Sequence, residues 1–300
     1  QLGQNSRTYY SSPVQIPGTT WSKSTTGYFN SFGIKTDGTL WAWGSNEEGS
    51  LGLNQAHDVS HRSSPTQIPG TTWSSIATGN SFTVATKTDN TLWAWGLNES
   101  GDLGQNQAPA QLPRCSSPVQ IPGTTWKQVT AGMRSGMATK TDGTLWMWGW
   151  NIYGKLGQNQ AQPGLHGTSS PVQIPGTTWN TSRTNGHYPR AVKTDGTLWA
   201  WGSNQQGVLG IPSLAESATL SSPTQVGSDT TWGSAPHIGY DGSAHAVKTD
   251  GTLWSWGYNE HGQIDHNDRT KRSSPTQIGS DTNWVQTLTT NHSSFGIESV

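Results

Sequence analysis

The feature that most constrains this chain is a tryptophan that returns at a nearly fixed interval. Trp21, Trp73, Trp126, Trp179, Trp232 and Trp284 stand 52, 53, 53, 53 and 52 residues apart. Each closes a near-identical segment: Ser-Ser-Pro-Val-Gln-Ile-Pro-Gly-Thr-Thr-Trp ends unchanged at Trp21, Trp126 and Trp179, and with small changes at the other three. A second block, Lys-Thr-Asp-Gly-Thr-Leu-Trp-Ala-Trp-Gly, runs from Lys35 to Gly44 and returns from Lys87, Lys140, Lys193 and Lys248. These two blocks hold 16 of the 17 tryptophans and leave out only Trp150, so the tryptophans are a property of the repeat and not of a site. A repeat of this length is one supersecondary unit that buries its apolar face only against its neighbours.

In the third repeat, Pro118 to Ile121, Trp126 to Ala131, Ser135 to Lys140 and Thr144 to Trp148 read as four short strands, with Asp142-Gly143 supplying a tight hairpin turn. Leu145 and Met147 fall on one face of the last strand, Trp146 and Trp148 on the other. Four strands in roughly 50 residues with no helical stretch give an all-β chain built as a β-propeller of four-stranded blades. Flat stacking of tryptophans between neighbouring blades is expected. The units run about 21-72, 73-125, 126-178, 179-231 and 232-283, with 284-300 joined to 1-20, in a single domain over 1-300.

The last unit is split. Gln1-Leu2-Gly3-Gln4-Asn5 matches Asp102-Leu103-Gly104-Gln105-Asn106, and Ser294-Phe295-Gly296-Ile297-Glu298 matches Ser31-Phe32-Gly33-Ile34-Lys35, just short of the Trp-x-Trp strand. Five blades are therefore complete and a sixth is shared by the two ends without that strand. The expectation is that the chain is one stretch of a longer protein.

The run of Trp, spacer, Gly, strand, Asp-Gly, Leu-Trp-Ala-Trp-Gly, Asn, Gly and Leu-Gly resembles the repeat of the regulator of chromosome condensation family, and in style the repeats of uncharacterised bacterial and phage proteins. The resemblance covers the whole chain. It implies a propeller, with seven blades if the chain is a fragment. It also implies guanine-nucleotide exchange on a small GTPase or chromatin association, the latter made through a basic surface.

Composition bears on those functions. With 12% charged residues, a net charge of -1 and a pI near 6.8, the chain lacks the broad positive field that nucleic acid or an acidic membrane requires. The single cysteine, Cys115, forms no internal disulfide, and no Cys/His spacing marks a structural zinc. No apolar run approaches the ~20 residues of a membrane-spanning helix. The start at Gln1, without Met or a signal segment, reads as a mature or excised terminus.

Sorting the turns by blade geometry places Ile-Pro-Gly-Thr-Thr and Lys-Thr-Asp-Gly-Thr on one nearly invariant face. The other face gathers what varies, including the connections Ala56 to Arg62 and Ala161 to Thr168, which are expected between blades. The candidate partner-binding residues there are Tyr28, Phe29, Arg134, His187, Tyr188, Arg190, Tyr240, Asp241 and His292. His57, Asp58 and His61, and His261, Asp265, His266 and Asp268, have ligand chemistry but no counterpart in other repeats, so no metal and no cofactor is expected. Asp37, Asp142, Asp195 and Asp250 precede Gly in the hairpin turns and read as turn residues, not acids. Asn46, Asn98, Asn151, Asn204 and Asn259 read as backbone anchors. No nucleophile elbow, phosphate loop or paired-His helix is present, so no enzyme is expected.

The reading of function that follows is a non-enzymatic binding or structural module on an extracellular, cell-envelope or virion surface. Its partner would be a protein or glycan, with no nucleic acid and no membrane insertion. The alternative is the exchange or chromatin role that the resemblance implies.

Overall fold

A computed structural model describes residues 1–6, 8–55, 61–160, 166–239, 241–289 and 293–299. Each repeat begins from the same local device. In the turn after Lys35, Asp37 Oδ1 accepts the Thr39 backbone N–H at 2.9 Å and its hydroxyl at 2.7 Å, and Thr39 Oγ1 accepts Trp41 Nε1–H at 2.9 Å. The relay recurs at Asp89, Asp142, Asp195 and Asp250. The aspartates thus fix hairpins and orient tryptophans, as their place before Gly or Asn implies.

Five four-stranded sheets form among the described residues. The first holds β1 (Trp21–Thr26), β2 (Asn30–Lys35), β3 (Leu40–Gly44) and β4 (Arg62–Gln67). The second holds β5 (Trp73–Thr78), β6 (Phe82–Lys87), β7 (Leu92–Leu97) and β8 (Arg114–Ile121). In the third are β9 (Trp126–Gly132), β10 (Ser135–Lys140), β11 (Leu145–Trp150) and β12 (Gly167–Ile174). The fourth has β13 (Trp179–Arg183), β14 (Arg190–Lys193), β15 (Leu198–Ser203) and β16 (Thr219–Gln225), and the fifth β17 (His237–Ile238), β18 (Ser243–Val247), β19 (Leu253–Gly257) and β20 (Arg272–Ile278). A sixth sheet has two strands, β21 (Trp284–Thr289) and β22 (Ser294–Glu298). The described residues of 1–20 hold no strand, since the Ser11-to-Ile16 motif pairs elsewhere with a Trp-x-Trp strand.

The Ser-Ser-Pro strand belongs one blade earlier than its order in the repeat suggests. Ala94 pairs with Val119 and Gly96 with Cys115, so β8 completes the sheet of β7. The connections Ala56 to Arg62 and Ala161 to Thr168 therefore join strands of one sheet instead of linking neighbouring sheets; 56–60 and 161–165 lie outside the described residues. Ser-Ser-Pro itself bulges out of the ladder. Ala42 pairs with Thr66 and Gly44 with Arg62, leaving Ser63, Ser64 and Pro65 unmatched, which suits a proline with no N–H to donate.

Neighbouring repeats are tied by the second tryptophan of each pair. Trp95 Nε1 donates to the Ser50 carbonyl, Trp148 to Asp102 and Trp256 to Val208, each at 2.9 Å, and Trp201 to Lys155 at 2.8 Å. For Trp43 the acceptor is the Gln1 carbonyl at 2.6 Å, so the head of the chain takes the place a preceding repeat would fill. The anchoring asparagines close the loops between: Asn46 Oδ1 accepts Leu51 N–H at 3.0 Å, and the pattern repeats at Asn98, Asn151, Asn204 and Asn259.

The aromatic packing is edge-on, not flat. Trp21 meets Trp41 at 82° and Trp179 meets Trp199 at 81°, both pairs within one sheet. Lys35 Nζ stands 5.1 Å from the Trp21 ring and 4.2 Å from Trp41, and Lys87, Lys193 and Lys248 occupy the same site. The ring quadrupole favours both the edge-to-face pair and a cation over the faces.

Two compact units divide the chain: 1–141 with 148–150 and 168–171, and 142–147 with 151–167 and 172–300. The first centres on Phe32, Ile34, Leu40, Leu51, Ile68 and Trp95. The second centres on Leu198, Leu209, Val226, Trp232, Ala244 and Trp256.

Candidate protein-binding groove

The glycine after each Trp-x-Trp shapes the variable loops. A Cβ on Gly44, at φ +105°, would stand 2.5 Å from the Phe29 carbonyl oxygen, and Gly96, Gly149, Gly202 and Gly257 are as tightly placed. The loop between β1 and β2 thus lies flat on Gly44, with Ser45 N–H donating to the Phe29 carbonyl at 2.8 Å. Its side chains turn outward. Tyr28 is 75% exposed and Phe29 48%, their rings 4.5 Å apart edge-to-face.

Beside Phe29 opens a groove of about 730 Å³, walled by Leu2, Thr8, Tyr9, Glu47, His61 and Arg62. His61 accepts the Asn46 backbone N–H at Nδ1 (3.0 Å), and Arg62 donates to Gln55 Oε1. Tyr9 is 98% exposed and Tyr10 is also exposed. Four exposed aromatics thus lie on or close to one groove that also offers a carboxylate and a guanidinium. Rigid aromatics rimmed by polar groups are the composition of protein-binding hot spots.

Tyr9 and Tyr10 escape the sequence reading, although a signal exists: they stand where the next repeat has His61 and Arg62. Of the expected contact residues, Arg134 pairs with Glu99 and lies 5.6 Å from the Trp150 ring. His187 packs edge-on against Tyr153 at 5.0 Å, and burial, helped by the positive charge of Lys155, holds its imidazole down at about 4. Asp241 is occupied, accepting Ser243 N–H at 3.0 Å in its own loop and Gln263 Nε2–H at 2.7 Å from the connection after β19.

Tyr188 and Arg190 are corrected outright: both are interior. Tyr188 packs with Val208 and Ile238, and Arg190 is fully buried, because the two stand at the register positions that Phe82 and Val84 fill on the inward side of the second sheet. Tyr240 and His292 lie outside the described residues, as do His57 and Asp58. Among the described residues no group of three or more His, Cys, Asp or Glu is placed to hold a metal.

The model of the regulator of chromosome condensation (RCC1) repeat matches residues 37–86, 89–138, 142–190, 195–233 and 250–289. The chain belongs to the RCC1 repeat family. It is 26% identical over 248 residues to the ultraviolet-B receptor UVR8 of Arabidopsis thaliana, which covers 80% of this chain and 53% of the receptor. It is 24% identical over 241 residues to the secretion-regulating guanine nucleotide exchange factor of Bos taurus, covering 77% of this chain and 50% of that protein. The chain spans about half the length of these RCC1 relatives. The solved structure of Prp20p from Saccharomyces cerevisiae, described with its binding to Gsp1p and histones, superposes with a TM-score of 0.74 at 17% identity. That match covers 91% of this chain and 67% of Prp20p, and it shows the RCC1-type β-propeller fold.

These RCC1 matches correct four expectations. These relatives are eukaryotic, where bacterial or phage repeat proteins were expected. An extracellular, cell-envelope or virion location is overturned by relatives that include an exchange factor and a protein that binds Gsp1p and histones. The surface protein or glycan partner falls with it, as does a structural role on a particle.

Proposed function

We propose that this chain is a protein-binding propeller that engages a small GTPase through its variable loops and promotes release of the bound nucleotide. Membership of the RCC1 family supports the reading, together with the names of the exchange factor and the Gsp1p-binding protein that it resembles. Exchange breaks no covalent bond, so it needs a rigid surface that holds the GTPase and no catalytic group. The observation that carries the proposal is the groove beside Phe29 with Tyr9, Tyr10 and Tyr28 exposed near it. A net charge of -1 favours a protein partner over a chromatin one.

The test is release of a fluorescent guanine nucleotide from a panel of small GTPases, Ran among them. Acceleration of one member, dependent on chain concentration and lost with Tyr28→Ala/Phe29→Ala, is the expected result. Release at the intrinsic rate from every member would contradict it.

A further inference from the structure

The fifth sheet departs from the repeat at its first strand. Trp232-Gly233-Ser234-Ala235-Pro236-His237-Ile238 stands where the third has Trp126-Lys127-Gln128-Val129-Thr130-Ala131-Gly132. Pro236 has no N–H and Gly233 weakens the strand, so pairing shrinks to β17 and one isolated bridge, Trp232 with Lys248. Side chains of the fourth sheet hold this backbone instead: Ala235 N–H donates to Thr181 Oγ1 at 2.9 Å, and Arg183 Nε–H to the Ala235 carbonyl at 3.0 Å. A cavity of about 450 Å³ is left between the fifth sheet and β21.

Arg183, His237, His245 and Lys248 line that cavity, and among the described residues no carboxylate does. Arg183 uses only Nε on the protein, so its two terminal nitrogens have no acceptor among the described residues. His245 is 1% exposed; Asp265 Oδ2 lies 3.7 Å from its Nε2 as an ion-pair partner, and Nδ1 has no hydrogen-bond partner among the described residues. The repeat does not require a nitrogen there, since the same register position holds Phe32, Val84 and Met137 in the first three sheets. Lys248 is already engaged by Asp229 and by the Trp254 ring at 3.6 Å. Burial first, then Arg183 and His245, hold the His237 imidazole at about 3. Arg183 and His237 are the two groups of this set without a carboxylate partner among the described residues.

We propose that this cavity binds a phosphate oxyanion, either inorganic phosphate or the phosphate end of a small phosphomonoester. The Arg183 fork and the imidazoles of His237 and His245 donate to it. A planar guanidinium suits two oxygens of one phosphate, and the two histidines supply further charge-assisted donors once protonated against the dianion. The volume exceeds what the ion alone needs and lies within the range of small-molecule sites. This site is independent of the GTPase reading.

The test is calorimetric titration of the whole chain with inorganic phosphate and, separately, glycerol phosphate, at fixed ionic strength in chloride. One-site saturable binding is expected, weakened about tenfold or more by Arg183→Gln and less by Arg183→Lys, which keeps the charge but not the fork. The source is the anion that binds tighter. In the unmodified chain, proton NMR should show phosphate raising the titration of two imidazoles. Absence of saturable heat with both probes, or two imidazoles that titrate unchanged, overturns the site. Equal binding by a folded Arg183→Gln variant does so too.

Discussion

The second strands of the first three sheets and those of the fourth and fifth differ at one register position. Phe32, Val84 and Met137 fill it in the former, Arg190 and His245 in the latter, and all five are between 0% and 1% exposed. Arg190 donates Nη2–H to the Val208 carbonyl and lies 5.3 Å from the Trp256 ring, while its Nε and Nη1 find no partner among the described residues. Burial pushes this guanidinium down to about 9. The same scaffold thus tolerates apolar and ionisable side chains at one interior position. Its strands are held elsewhere: by the aspartate turn, the tryptophan-to-carbonyl ties and the lysine between two rings.

That contrast can be broken by exchanging the residues. Met137→Arg puts a cation at a fully buried position packed around an apolar side chain and should cost about 3–5 kcal/mol in urea denaturation; a loss under 1 kcal/mol would show that the position is tolerant in every sheet. The pH dependence of stability is an effect of comparable size. His237 binds its proton near pH 3 when folded and near its ordinary 6.5 when unfolded, so between those values the unfolded chain holds more protons. Stability is full above pH 6.5 and falls as the pH drops toward 3, by about 4–5 kcal/mol from this group, with His187 acting in the same direction. His237→Gln should flatten that slope. Arg190→Met, which copies Met137, should leave stability unchanged or raise it by about 1–2 kcal/mol. Smallest is Lys193→Met, which removes the cation 4.0 Å from Trp199 and should cost about 1 kcal/mol.

The scaffold was legible because its residues repeat. The Trp interval, the Asp-Gly hairpins and the Asn anchors each recur with one meaning, and the structure gives them that meaning. Strand membership was less legible: β8 follows its partner β7 by a long connection but precedes β9 by only a few residues, so proximity in sequence pointed to the wrong blade. The loop face was legible at Tyr28 and Phe29, whose repeat mates Asn80 and Ser81 are small and polar. It was misjudged at Tyr188 and Arg190: counted back from Lys193 they take the places that Phe82 and Val84 hold before Lys87, so the repeat itself marks both as interior. Composition misled on location. Low charge and abundant Ser, Thr and Asn are consequences of one repeated motif, and say nothing about the surroundings in which it works.

Recognition by the residues that depart from the repeat, on a scaffold built by those that do not, is tested most directly by the affinity of a responsive small GTPase for the wild-type chain and for Tyr28→Ala/Phe29→Ala, with thermal unfolding followed in parallel. The double variant should bind about 100-fold more weakly, with a melting temperature within about 2 °C of wild type, since exposed side chains carry binding and little stability. Equal affinity of the two chains would contradict this.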